Sequence, residues 1–254
     1  MHFAITGNPI NHSLSPQLFL AAYNGRFQYD LLPAQTAEEA IRLFKSNRLK
    51  GMNVTAPFKR DMLAFVDECS EEVTATGALN TVVRQPDGTL KAYNTDCYGV
   101  EGSLQEAGVS LLNKTCIVLG AGGAGAAAVY ALRRRGAVAY LLNRTVEKAQ
   151  ALALRLGVQA LPLSALPDIL PKATVVVSTL PPEAEAGTGG KLAVEHTVLD
   201  ASYIGSSLKE QAQQAGCIYM DGRYWLLHQG VVAYKLFTEL EPDVKAMHSV
   251  LNLS

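Results

Sequence analysis

The residues of this chain best placed to do chemistry begin at Thr115-Cys-Ile-Val-Leu119, an apolar run that opens directly into Gly120-Ala-Gly122-Gly-Ala-Gly125. A helical pattern follows to Arg135, and a second apolar run from Val138 to Leu142 stops at Asn143-Arg144-Thr145. That is a strand, glycine loop, helix and strand, the context in which G-x-G-x-x-G binds a dinucleotide. Gly120 permits the tight turn, Gly122 lets a pyrophosphate approach the backbone, and Gly125 lets the helix lie close to the strand. A helix start offers N–H groups and a partial positive charge to phosphates. Gly120, Ala121, Gly122, Gly123 and Ala124 are therefore the expected pyrophosphate contacts.

The end of the second strand selects the cofactor. NAD sites commonly place Asp or Glu about 20 residues on, to bind the ribose 2′-hydroxyl. Here Asn143 stands 23 residues after Gly120, and Arg144, Thr145 and Lys148 follow it with no acid among them. A guanidinium and an ammonium suit a 2′-phosphate, so the expected cofactor is NADP(H). A cofactor-free unit with solvated surface charges is the competing reading, and the glycines taken together with the basic loop outweigh it.

Three polar clusters close expected strands in the N-terminal part: Gly7-Asn-Pro-Ile-Asn-His-Ser13-Leu-Ser15-Pro16, Gly51-Met-Asn53-Val-Thr55-Ala-Pro57-Phe-Lys59, and Asn80-Thr81 with Asn94-Thr95-Asp96. Their side chains are of the types that hydrogen-bond hydroxyls and carboxylates. Singly, each has a plainer role. Ser15 and Asp96 read as helix caps, Thr55 as a strand end, Lys59 as a surface cation and His12 as a loop-packing residue.

In that order, GNPINHSLSP, GMNVTAPFK, ALNT, YNTD, GAGGAGAA and NRT resemble the motifs of the shikimate dehydrogenase family over nearly the whole chain. The resemblance implies a reversible, NADPH-dependent reduction of 3-dehydroshikimate to shikimate, within chorismate and aromatic amino acid biosynthesis. By position it makes Lys59 and Asp96 the catalytic pair, and that fits the reaction: charge building on a carbonyl oxygen needs a cation and a proton. It further implies Ser13, Ser15 and Tyr203 at the substrate carboxylate, and Thr55, Asn80 and Gln229 at the ring hydroxyls. Ala201 and Gly222 would lie near the nicotinamide, with Glu71 as a further candidate. The chain departs from the family in three places. Ser178-Thr179-Leu180 replaces Asn-Ala-Thr, Lys148 replaces an arginine, and Arg223, Tyr224 and Trp225 follow Gly222 where the family favours glycine and methionine. Bulky residues there are expected to narrow the nicotinamide pocket or alter domain closure. Two alternatives stand beside this assignment: a quinate/shikimate enzyme using NAD, and a non-catalytic NADP- or shikimate-binding regulator that would not need Lys59.

The elements required to hold these loops read as α/β throughout. Strands are expected at Phe3 to Thr6, Tyr29 to Leu32 and Lys50 to Val54, with a hairpin at Leu79 to Tyr93 around Asp87-Gly88. Helices are expected at Pro16 to Tyr23 capped by Ser15, at Thr36 to Phe44 with Glu39 completing a capping box, at Pro57 to Val66, and at Glu71 to Thr76. Two domains follow: residues 1–95, a substrate-binding catalytic domain completed by helices in 222–254 that pack back on it, and residues 96–221, a Rossmann-type NADP-binding domain.

The length, 254 residues, accommodates both. A hydrophobic fraction of 48% is enough for real cores, and a formal charge of −1 gives no electrostatic case for nucleic acid or an anionic membrane. Cys69, Cys97, Cys116 and Cys217 are scattered without a metal-ligand or disulfide pattern. No basic leader with a long apolar segment and no membrane-length run appears. A cytoplasmic enzyme, monomeric or homodimeric, with a small-molecule substrate is the expectation.

Overall fold

The computed structural model describes residues 1–203 and 206–253 and divides them into two units. One is Met1–Thr95 together with the chain from Leu226 onward; the other is Asp96–Trp225.

The first unit runs β1 (His2–Gly7), α1 (Ser15–Ala22), β2 (Gln28–Pro33), α2 (Ala37–Ser46), β3 (Gly51–Val54), β4 (Glu68–Cys69), α3 (Glu71–Thr76), β5 (Thr81–Arg84) and β6 (Leu90–Tyr93). Its six strands order as β2-β1-β3-β5-β6-β4. β1 pairs in parallel with both β2 and β3, whereas β3–β5 and β5–β6 are antiparallel. The sheet is therefore mixed. β3 is buried at every position, as a central strand covered on both faces must be.

Local chemistry departs from expectation in three places. The serine ahead of α1 that accepts a backbone N–H is Ser13, whose Oγ takes the Ser15 N–H at 3.2 Å. Ser15 is itself the first helical residue, behind Leu14 as the N-cap. At α2 the Thr36 hydroxyl accepts the Glu39 N–H at 3.1 Å, but the Glu39 carboxylate reaches back to the Gln35 N–H at 2.7 Å, one residue earlier than a capping box requires. The stretch from Pro57 to Val66 contains a single 3₁₀ segment, Asp61–Phe65, in place of the expected helix. The Lys59 carbonyl accepts the Leu79 N–H at 2.9 Å, so it serves the neighbouring loop and not a helical ladder.

The second unit runs α4 (Asp96–Glu106), β7 (Thr115–Leu119), α5 (Gly123–Arg134), β8 (Val138–Asn143), α6 (Val146–Leu156), β9 (Gln159–Pro162), α7 (Leu166–Ile169), β10 (Val175–Ser178), β11 (Thr197–Asp200), α8 (Ser207–Ala215) and β12 (Ile218–Met220). Its strands are all parallel, in the order β12-β11-β10-β7-β8-β9. That is the doubly wound dinucleotide-binding order, and its direction reverses between β7 and β10. Ala126, Ala127, Ala128 and Ala131 of α5 are fully buried, and side chains that small let the helix sit close to the sheet. Cys116 lies in the same core, where burial pushes its thiol up to about 12 and leaves it unreactive.

The remaining helices are α9 (Gly222–Thr238) and α10 (Val244–Val250). Gly222–Trp225, expected with the returning helices, belong to the second unit, and Trp225 is part of its core. Within the first unit, Phe237 of α9 stacks on Phe3 with ring centroids 5.2 Å apart, and Tyr234 meets Phe19 edge-on at 4.8 Å. No helix among the described residues is long and apolar enough to cross a membrane.

The closest backbone approach in the second unit is at Gly125, where an added Cβ would lie 1.9 Å from the Gly120 carbonyl oxygen. Gly125→Ala should therefore force α5 off β7 and cost about 1–3 kcal/mol or more. Urea or thermal unfolding reads this directly, and an unshifted midpoint would show that the helix can slide without loss.

Candidate active site

At the reversal point of the parallel sheet, each glycine of the loop has a different physical warrant. Gly120 has φ +103°, a conformation side chains disfavour, and a Cβ there would meet Thr179 Oγ1 at 2.6 Å. Gly125 is required by helix packing, as above. Gly122 is required by neither: its φ is −80°, and a Cβ would find nothing within 4 Å. Gly122 is exposed at the N-cap of α5, a position glycine favours, and with no side chain it leaves the backbone there open to close approach. The helix start carries no acidic residue in its first turn and no side-chain cap, so its N–H groups face outward as an anion site requires. These residues fit a bound pyrophosphate.

Thr179, a departure from the family pattern, has a clear duty. Its hydroxyl donates to the Leu119 carbonyl at 2.9 Å and pins the loop after β10 to the loop after β7. Asn143, at the end of β8, accepts the Ala121 N–H at 3.3 Å and donates to the Thr145 carbonyl at 2.8 Å. It thus shapes the glycine loop and the basic loop together. Arg144, Thr145 and Lys148 are exposed beside it.

In the first unit, the loops after β1 and β3 meet. An added Cβ on Gly7 would lie 2.4 Å from the Thr55 methyl, so only glycine lets the two loops close. The Thr55 N–H donates to the Thr6 carbonyl and the Asn8 N–H to the Ala56 carbonyl. The bond from the Leu79 N–H to the Lys59 carbonyl then ties the Lys59 loop to Asn80. This brings Thr55, Lys59 and Asn80 together on neighbouring elements. Ser13 is half-buried in the first loop. Ser15 is buried, and its carbonyl accepts the Tyr234 hydroxyl at 3.2 Å. Burial pushes the Tyr29 and Tyr234 phenols well up, so both remain neutral donors.

Asn80 is the hub of this unit. Its Oδ1 accepts the Thr95 N–H at 2.7 Å, and its Nδ2 donates to Thr95 Oγ1 at 3.0 Å and to Gln229 Oε1 at 3.3 Å. The Gln229 amide also donates to the Leu226 carbonyl at 3.1 Å. Asn53, which the sequence reading passed over, supports the hub: its Nδ2 donates to the Asn80 carbonyl and to Thr81 Oγ1, and its Oδ1 accepts the Tyr29 hydroxyl. An amide inside an otherwise apolar central strand was the available signal for it. Glu71 starts α3 in the same unit and is exposed.

Asp96 follows Thr95 directly and begins α4, buried, with its Oδ1 accepting the Trp225 indole N–H at 3.1 Å. At the far end of the same sheet, Gly222 packs against the backbone after β11: a Cβ there would lie 2.2 Å from the Ala201 carbonyl oxygen. Tyr203 lies in this second unit, half-buried, with burial raising its phenol. Asp200, also unflagged by the sequence reading, is fully buried at the end of β11 and accepts the Ser202 N–H at 3.1 Å, the Tyr219 hydroxyl at 3.0 Å and the Ser206 hydroxyl. It holds the segment that carries Ala201 and Tyr203. Arg223 is folded back in a two-pronged pair with Asp221. Among the described residues no group of three or more His, Cys, Asp or Glu side chains could hold a metal ion.

Residues 5–82 match the family profile described as the shikimate dehydrogenase substrate binding domain, and residues 103–185 match that of shikimate/quinate 5-dehydrogenase. The shikimate dehydrogenase (NADP(+)) of Carboxydothermus hydrogenoformans is 35% identical, covering 98% of this chain and 96% of its own. The crystal structure of shikimate dehydrogenase from Aquifex aeolicus superposes with a TM-score of 0.90 at 32% identity, covering 98% and 96% of the two chains. Quinate dehydrogenase from Corynebacterium glutamicum in complex with NAD superposes at 0.89 with 28% identity, covering 100% and 99%. The nucleotide-binding strand order, the glycine loop and the Asn80 cluster thus lie in a chain whose full length matches one group of proteins: it belongs to the shikimate dehydrogenase family.

Proposed function

We propose that this chain catalyses the reversible reduction of 3-dehydroshikimate to shikimate with NADPH, in the cytoplasm, as a monomer or homodimer that needs neither nucleic acid nor membrane. The observation that carries the oxidoreductase reading is the glycine loop at the reversal of the parallel sheet, where Gly122 leaves the start of α5 open to a dinucleotide. The relatives' shared activity then supplies the substrate.

In this reading the first unit is the substrate domain and the second the NADP domain. NADPH, when bound, supplies the hydride for the ketone carbon. The N–H groups at the start of α5 hold its pyrophosphate, Arg144 and Lys148 its 2′-phosphate, and Ala201 and Gly222 border the nicotinamide. Ser13, Ser15 and Tyr203 hold the substrate carboxylate, while Thr55, Asn80 and Gln229 take the ring hydroxyls. Neutral hydroxyls and amides suit a polyol, since each offers donors and acceptors at modest desolvation cost. The Lys59 ammonium stabilises the negative charge that develops on the ketone oxygen, and Asp96 orients the lysine. With the proton delivered by this pair the oxygen becomes a hydroxyl, and the reverse reaction removes that proton through the same groups. Asn143 and not an acid ends β8, and the next carboxylate, Glu147, lies in the first turn of α6; with Arg144 and Lys148 beside it, this favours NADP over the NAD-dependent quinate reading.

Three outcomes follow. Lys59→Ala should lower kcat about 10²- to 10⁴-fold, the range of lost general acid–base catalysis, while fluorescence titration shows NADP affinity nearly unchanged; unaltered turnover would remove the lysine from the mechanism. Arg144→Ala should weaken NADP roughly 3- to 10-fold, as expected for a charge-assisted bond at an exposed site, and leave NAD unaffected. Equal losses for both cofactors would refute a 2′-phosphate contact. Gly122→Ala should cost no more than about 1 kcal/mol of stability, as alanine is the poorer N-cap, yet weaken NADP and NAD alike, and full retention of both affinities would mean that no pyrophosphate passes there.

A further inference from the structure

The Asp96 carboxylate has a neighbour among the three bulky residues that follow Gly222. Trp225 lies in the first turn of α9, and its indole N–H donates to Asp96 Oδ1 at 3.1 Å. Both residues are nearly sealed from water, Trp225 at 5% and Asp96 at 6% exposure. In so dry a setting a hydrogen bond to a carboxylate fixes its orientation far more firmly than it would at the surface.

Space for the indole is made by Gly99, one turn along α4 from Asp96. A Cβ on Gly99 would lie 2.5 Å from Trp225 Cδ1, 2.8 Å from Nε1 and 2.9 Å from the Trp225 carbonyl oxygen. The pyrrole edge of the indole therefore lies against bare helix backbone, with the N–H directed at the carboxylate. Trp225 belongs to the same core as Cys97, Val100 and Met220. The other end of the arrangement is fixed as well, because Gly222, three residues before Trp225, is in backbone contact with Ala201. Of the three bulky residues after Gly222, Arg223 is turned onto Asp221, Tyr224 packs against the core of the second unit and Trp225 enters it.

We infer that Trp225 is a positioning residue for the reaction, holding the Asp96 carboxylate in its working orientation through the indole N–H, in a slot that Gly99 keeps open. The inference rests on the assignment of Asp96 to catalysis given above.

Trp225 is the only tryptophan in the chain, so chemistry at this one position can be changed without altering its shape. Site-specific replacement by β-(3-benzothienyl)alanine, which has sulfur in place of the N–H, removes the donor and keeps the ring. This replacement should lower kcat about 10- to 100-fold, the scale on which a misplaced reacting group acts, with little change in shikimate KM or NADP affinity. 5-Fluorotryptophan, which keeps the N–H, should retain turnover. In an Asp96→Asn background the sulfur replacement should cost nothing further, because the tryptophan acts through the carboxylate. Asp96→Asn should also shift the emission of the single indole. An unchanged kcat with the sulfur analogue, a loss that persists in Asp96→Asn, or an unshifted emission would each overturn the positioning role. A fully active Asp96→Asn enzyme would instead overturn the catalytic assignment of Asp96, so the two failures are told apart.

Discussion

The Asn80 carboxamide sets the geometry on which the substrate side depends. A single short bond, from the Thr95 N–H to Asn80 Oδ1 at 2.7 Å, fixes the backbone at Thr95, where the first stretch of that unit ends. Asp96 is the next residue, so its backbone starts one peptide from that anchor. The Asn80 amide nitrogen meanwhile fixes which end of the Gln229 amide is the acceptor. Both atoms of the carboxamide are engaged more than once, since Oδ1 also accepts from the Thr81 and Thr95 hydroxyls. Removing the whole side chain would take the acceptor from the buried Thr95 N–H, at a cost of about 1–3 kcal/mol, and this redundancy is what holds Asn80 and Gln229 in place.

In the nucleotide unit the corresponding constraint is steric. Gly125 and Gly120 let α5 approach β7 closely enough for the helix start to point at the strand end, and Thr179 ties the adjoining loop to the same backbone. With these contacts made inside the protein, the exposed backbone at Gly122 is left for the ligand. One motif thus contains glycines of two kinds, and only added-Cβ geometry separates them.

Much of this was legible in the sequence because the signals were local. Apolar runs of five residues gave β7 and β8, and the glycine spacing gave the turn into α5. The polar clusters at strand ends named the loops that the structure brings together in the first unit. What stayed hidden depended on partners distant in sequence. The Pro57 to Val66 stretch has a helical pattern, but the bond between the Lys59 carbonyl and the Leu79 N–H, invisible locally, draws its backbone elsewhere. Ser15 is drawn into the first turn of α1 behind Leu14, and Ser13 accepts its N–H, because capping chemistry is common to both serines and tertiary packing decides between them. Asn53, Asp200 and Trp225 each act on a residue far along the chain. The sequence shows an oddity at each of these positions, a polar group in an apolar strand or a large ring after a glycine, and gives no direction for it.

Charge is distributed to match these roles. A formal charge of −1 provides no long-range attraction for an anionic cofactor, so the anion must be met locally. In the proposed reading two kinds of group share that work, and they respond differently to the medium. Arg144 and Lys148 are exposed, so their pull on a 2′-phosphate would be screened within a Debye length of about 8 Å at physiological ionic strength. The N–H groups at the start of α5 are fixed by the helix and would bond at contact, so salt would weaken them much less. The part of binding common to all dinucleotides would then be built into backbone, and the part that selects the phosphorylated one would rest on surface cations. Lys148 lacks the two-pronged geometry of an arginine, which leaves Arg144 to provide the directional share of that selection.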